Sequence, residues 1–170
     1  MKKLIVIVQC IVFICSYIVS SAQVIEGTYA IKNMQTGMLL RIKDANKSNG
    51  TPLVAYDPVN WKCVTWQFNH VEGDTYQLKN LFTGKTFQST DATPSEGSLL
   101  NQQPLILLQL NQQYDFVPVK NNSYLIKQKN TNLYVTPVDK NGAANTGIRL
   151  AKKDGSLLQQ WVIYLQKPTM

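Results

Sequence analysis

The chain has 170 residues, with 17 Lys or Arg against 10 Asp or Glu for a formal charge of +7, and it carries one His and three Cys. So few His and Cys speak against a metal centre, and His70 without a companion motif speaks against a histidine-activated nucleophile. Only Glu26, Glu72 and Glu96 among the acids are Glu, and none sits in the paired-carboxylate setting of a glycosidase. The expectation is a protein without catalytic residues, metal or cofactor. Past the first three residues, Lys152-Lys153 is the only adjacent Lys pair. Scattered charge of this kind is a solvated surface and not a nucleic-acid track.

Met1-Lys2-Lys3 is a short basic head, followed by an apolar run from Leu4 to Val19 and the small residues Ser20-Ser21-Ala22. This is the pattern of a secretory signal peptide over residues 1–22, cut before Gln23. The other reading, an uncleaved anchor, needs roughly 20 apolar residues to cross a bilayer, and this run is shorter. Export would make the protein secreted, periplasmic or cell-surface, with no membrane span left after cleavage. Cys63 would then be the only thiol, so no internal disulfide could form, and it reads as a small buried hydrophobe.

From Gly27 onward the chain repeats itself. Tyr29-Ala30-Ile31-Lys32-Asn33, Tyr76-Gln77-Leu78-Lys79-Asn80 and Tyr124-Leu125-Ile126-Lys127-Gln128 begin three copies, at spacings of 47 and 48 residues. A second marker keeps the same period: Trp66-Gln67-Phe68, Tyr114-Asp115-Phe116 and Trp161-Val162-Ile163. Repeats of this length are arrays of supersecondary units. Their bounds fall at about residues 27–73, 74–121 and 122–166 of one domain spanning 23–170.

Within each unit the alternation of Tyr and Ile or Leu against Lys predicts a strand. Asn33, Asn80 and Gln128 end that strand, and Gly37, Gly84 and Asn132 are expected to take the positive φ of the following turn. A short second strand ends near Leu40, Phe87 and Val135. Asp44, Asp91 and Asp139 then open polar loops, where their side chains are expected to cap turns. A third strand is predicted around Leu53–Tyr56, Leu105–Leu108 and Ile148–Leu150, and the aromatic marker supplies a fourth. No stretch has a helical period.

Twelve short strands in three units cannot bury an apolar face unit by unit. Packed about a pseudo-threefold axis they can, which predicts an all-β fold, a β-trefoil. Tyr29, Tyr76, Tyr124, Trp66, Tyr114 and Trp161 are its expected repeat core, and barrel closure leaves no exposed strand edge.

Gln159-Gln160-Trp161 is a Gln-x-Trp motif, Gln112-Gln113-Tyr114 keeps its Gln, and Val64-Thr65-Trp66 keeps its Trp. In these endings the chain resembles the ricin B-type lectins over nearly its whole length after the leader. The resemblance implies shallow sugar pockets, one per unit. Each is built from an Asp after the second strand, an aromatic about fifteen residues later, and an Asn before the motif Gln. The Asp place holds Arg41, Gln88 and Thr136. The aromatic place holds Tyr56, about Gln103, and Ala151, and the Asn-Gln pair survives only as Asn111-Gln112. No unit matches completely.

The carbohydrate-binding candidates are therefore Tyr56 with Asp44 and Asp57 in the first unit, and Gln88 with Asn111 and Gln112 in the second. Least is expected of the third. Gln112 and Gln159 could equally serve backbone groups of the fold. The expected function is a secreted, non-catalytic carbohydrate-binding protein with a glycan or polysaccharide partner. The alternative is a β-trefoil protein-interaction module, inhibitor-like or cytokine-like, using the Leu99–Pro104 stretch.

Overall fold

A computed structural model describes residues 24–120 and 122–169. The leader expected over residues 1–22 lies outside the described residues. The strands are β1 (Gly27–Asn33), β2 (Leu39–Ile42), β3 (Leu53–Tyr56), β4 (Thr65–Glu72), β5 (Thr75–Asn80), β6 (Thr86–Ser89), β7 (Leu100–Gln103), β8 (Tyr114–Pro118), β9 (Ser123–Gln128), β10 (Leu133–Pro137), β11 (Ile148–Lys152) and β12 (Gln160–Leu165). Four single-turn 3-10 helices are the only helical segments among the described residues.

Six strands close a barrel. β1 pairs with β4, β4 with β5, β5 with β8, β8 with β9, β9 with β12, and β12 returns to β1, all antiparallel. The other six form three hairpins, β2–β3, β6–β7 and β10–β11. The hairpins touch one another through Pro52 and Asn101, Val54 and Gly147, and Leu99 and Arg149, closing a triangular cap. This is the β-trefoil.

The core follows the repeat. Trp66 donates its indole N–H to the Leu40 carbonyl at 3.0 Å, Trp161 to that of Val135 at 3.0 Å, and Tyr114 its hydroxyl to that of Phe87 at 3.3 Å. These bonds tie the last strand of each unit to its second, so a buried polar tip is satisfied without water. Burial pushes the Tyr114 phenol far above its ordinary pKa. Across the barrel Phe68 and Phe116 meet edge-on at 4.9 Å between ring centres, and Tyr29, Tyr76 and Tyr124 pack around them at 5.3–5.9 Å. Tyr76 is fully buried, whereas Tyr29 and Tyr124 lie at the core margin.

The turn residues explain one departure from the repeat. Asn33 accepts the amides of Gln35 and Thr36 on Oδ1 while its Nδ2 donates to Leu158 of the neighbouring unit. Asn80 does the same with Phe82, Thr83 and Cys63. Gly37 and Gly84 then take φ of 72° and 69°. Gln128, one methylene longer, still donates across to Asn111, but its Oε1 is buried without a partner. That turn reaches positive φ at Asn130, at 57°, and not at the expected Asn132.

A second correction concerns the middle unit. Its third strand is Leu100–Gln103, and the apolar run Leu105–Leu108 expected there is loop. Leu100 and Gln102 point inward in register with β6, and Pro104, which has no N–H for the ladder, ends the strand. Ile106, Leu107, Leu108 and Leu110 stand exposed, Leu107 at 79%.

Candidate functional site

The three units place corresponding residues at one spot of each hairpin. Arg41 lies opposite Val54, Gln88 opposite Asn101 and Thr136 opposite Arg149. Two residues on, Tyr56, Gln103 and Ala151 lie opposite Leu39, Thr86 and Tyr134. Strand alternation sets each such pair on one face of the hairpin. What each unit does with the pair differs.

In the second unit Gln112 is 1% exposed and both ends of its amide are used. Its Nε2 donates to the Pro104 carbonyl at 2.9 Å and to Gln88 Oε1 at 2.8 Å, and its Oε1 accepts the Ile106 amide at 2.9 Å. Gln88 and Gln112 are thus brought together, as a brace across the loop leaving β7. Gln159 repeats the brace in the third unit, donating to Lys152 and accepting from Asp154. Asn111 is half-buried with Oδ1 lacking a partner, while its carbonyl receives Gln128. Thr136 donates its hydroxyl to the Leu158 carbonyl at 3.3 Å, and Ala151 stands where the first unit has Tyr56.

The first unit has Val64 where the others have the bracing Gln, and Gln166 reaches in from beyond β12 instead. Its Nε2 donates to Val59 at 2.6 Å and its Oε1 accepts the Thr65 hydroxyl at 2.8 Å. With the brace supplied from outside, the space near the hairpin holds a different arrangement. The Arg41 guanidinium lies over the Tyr56 ring at 3.8 Å and 5.9 Å from the centre of Trp61, the two rings being 6.3 Å apart. Arg41, Ala45, Trp61, Lys62, Cys63 and Phe82 line an open cleft of about 250 Å³. Lys47 holds its ammonium 4.8 Å from the Phe82 ring at the same edge. Phe82 belongs to the turn of the second unit, so the cleft spans a unit boundary.

Tyr56 is therefore the floor under Arg41, and Trp61 is the ring that walls the cleft. Asp44 and Asp57 are exposed and are not among its walls. Asp44 sits at φ 53° without a side-chain hydrogen bond, and Asn46 caps that loop by accepting the Ser48 amide. Asp91 and Asp139 do cap their loops, accepting from Ser98 and from the Ala143 amide. The Ala143 and Asn141 amides hold the Asp139 carboxyl below the usual carboxylate range. Cys63 is buried and unpaired among the described residues. Trp61 and Phe82 escaped the repeat-based reading. Their signal was available: Trp61 is the one Trp after the leader that falls outside the Gln-x-Trp register, and Phe82 is an exposed aromatic in a turn where the sister units carry Gln35 and Asn130.

Comparison with known proteins bears on these three hairpins. Among solved structures, the chain is similar to the designed threefold-symmetric protein ThreeFoil, with a TM-score of 0.77 at 18% identity over 81% of this chain and 98% of that one. It is similar also to the Rhizoctonia solani agglutinin, with a TM-score of 0.75 at 16% identity over 86% and 99%. The Macrolepiota procera ricin B-like lectin, solved in complex with lactose, gives 0.71 at 20% identity over 84% and 98%. Identities this low speak to fold alone. No curated protein sequence matches the chain. The model of the ricin-type beta-trefoil lectin domain-like family matches residues 17–103 and, overlapping them, 62–150. With two matches that together span most of the repeats, the chain belongs to the ricin-type β-trefoil lectin domain-like family.

Proposed function

We propose that the protein is an exported, non-catalytic carbohydrate-binding protein that meets its glycan at the cleft of the first unit. The observation that carries this reading is the pairing in one cleft of apolar ring surface, from Trp61 and Phe82, with the polar head of Arg41. A sugar presents a flat C–H face and a rim of hydroxyls, so it needs both kinds of surface, and hydroxyls left without partners would cost more than stacking returns. Family membership and the lectins among similar folds support the same reading. The apolar run at residues 4–19 supports export. A single shallow cleft binds weakly, and display of several copies would raise avidity.

A glycan array probed at high protein concentration tests the reading. Retention on at least one glycan is expected, and Trp61→Ala should abolish it without lowering the melting temperature by more than a few degrees. Absence of binding by the wild type to any glycan would move the second reading ahead. That second reading, a protein partner, is favoured by one observation, the exposed loop of Ile106, Leu107, Leu108 and Leu110. Gln77 clamps this loop by donating to the Ile106 carbonyl and accepting the Leu108 amide, and Gln113 donates to the Leu108 carbonyl.

A further inference from the structure

We infer that the Arg41 cleft selects a saccharide that bears a carboxylate or sulfate group, an inference that rests on the carbohydrate reading above. Arg41 is only 7% exposed, yet it takes part in none of the ion pairs among the described residues, which join Lys127 and Lys129 to Asp115, Lys129 to Glu72, and Lys152 to Glu96. Its Nε is buried with no hydrogen-bond partner. A guanidinium does not shed its proton, so a buried one must be matched by an acceptor. What holds it here is the face of Tyr56 at 3.8 Å, a contact that steadies the cation while leaving its N–H edges unfilled.

The charges nearby do not supply the missing partner. Lys62 lines the cleft and Lys47 stands at its rim, so the local field is positive. Asp44 and Asp57 are the acids of the adjoining loops, and both face solvent without pairing to Arg41. At the corresponding places the other two units carry neutral groups with internal partners, Gln88 bonded to Gln112 and Thr136 to Leu158. Arg149 of the third unit, opposite Thr136, likewise has a buried Nε without a partner, but among the described residues only Arg41 both lies over aromatic faces and lines the open cleft. A neutral hydroxyl accepts one hydrogen bond without countering the charge, whereas a carboxylate or sulfate oxygen pair matches the planar fork and neutralises it. The cleft volume of about 250 Å³ lies below the roughly 300–1,000 Å³ of drug-sized pockets, which suits one acidic ring seated against Trp61.

The test uses paired probes on the wild-type protein, so it does not depend on a substitution at a buried site. A glucuronate-terminated oligosaccharide is titrated against its carboxyl-reduced form, and a sulfated N-acetyllactosamine against its unsulfated parent. At least one charged probe should bind about tenfold tighter than its neutral counterpart at low salt, the worth of one added charge-assisted contact. The gap should narrow as salt rises. Which pair shows the gap distinguishes carboxylate from sulfate. Arg41→Gln, first checked for an unchanged circular dichroism spectrum, should erase the preference, and Trp61→Ala should weaken charged and neutral probes alike. Equal binding of charged and neutral probes would overturn the anionic assignment and leave the carbohydrate reading standing. Binding of none of them, or of any array glycan, would overturn both. A preference that survives in a folded Arg41→Gln protein would place the anion elsewhere and overturn the assignment to this cleft.

Discussion

The first and second units start from the same hairpin and finish with opposite chemistry. In the second, Gln88, Gln112, Pro104 and Ile106 satisfy one another, and the amide that resembles a ligand-binding group is spent on the loop. In the first, Val64 removes the internal brace, Gln166 supplies it from the end of the domain, and Arg41 is left with aromatic faces but no acceptor. Motif resemblance favours the second unit, which keeps the Asn-Gln pair. The charge left unmatched on Arg41 favours the first: in the second Asn111 Oδ1 also lacks a partner, but it is neutral, and Gln88 and Gln112 are spent on the loop.

The largest expected effect tests the frame that makes the two units comparable. Trp161→Ala empties a fully buried ring site and removes its bond to Val135, and should cost about 3–5 kcal/mol in urea denaturation. A wild-type midpoint would mean that the three aromatic anchors do not share one core.

Next in size is Gln112→Ala, which leaves the Ile106 amide and the Pro104 carbonyl without their partner. A loss of about 1–3 kcal/mol is expected, with faster hydrogen exchange at Ile106 and glycan binding retained. Loss of binding together with wild-type stability would reverse the comparison and make the second unit the site.

Trp61→Ala should do the converse. The ring is half-buried at the cleft wall, so stability should fall by about 1 kcal/mol or less, while retention on glycan disappears. Isothermal titration beside thermal melting separates the two outcomes.

The smallest effect concerns a region outside both hairpins. Partial burial pushes the Asp115 carboxyl upward, but the Thr75 hydroxyl at 2.7 Å, Lys127 at 3.0 Å and Lys129 outweigh it and hold the group below the usual carboxylate range. Depressed in the folded state, the group contributes stability above its unfolded pKa and loses it as pH falls through the folded one. Unfolding midpoints should therefore decline from about pH 4 downward, less steeply in Asp115→Asn. Identical slopes would mean that Asp115 is not linked to folding.

The frame was legible in the sequence because a core residue must recur wherever the fold recurs. Trp66, Tyr114 and Trp161 are buried by the same backbone geometry in each unit, and a period of 47 or 48 residues exposes that. Leu105–Leu108 misled because an apolar run reads as a strand whether or not anything covers it, and only the pairing of Leu100–Gln103 with β6 shows which segment the sheet takes. The site was harder to read for the opposite reason: it lies where the units cease to agree. Arg41 was visible as a departure from the family pattern, but the cleft around it is completed by Phe82 from the next unit, and its lack of a partner shows only once the fold sets its neighbours. A turn residue such as Gln128 lies between these cases, since its crossing bond to Asn111 follows the repeat and its extra methylene displaces the turn to Asn130.

The closing seam of the barrel joins β1 to β12, with Tyr29 opposite Leu165 and Asn33 opposite Trp161. The first strand of the domain therefore waits for the last before one of its edges is covered. On a ribosome adding roughly 5–20 residues per second, that wait is on the order of ten seconds, far longer than a hairpin takes to form. Throughout it, β1 carries an open row of amides and carbonyls. Such a closure between distant strands is of the high-contact-order kind, and the interval before it is when a second copy could donate its own β12 and produce a strand-exchanged pair.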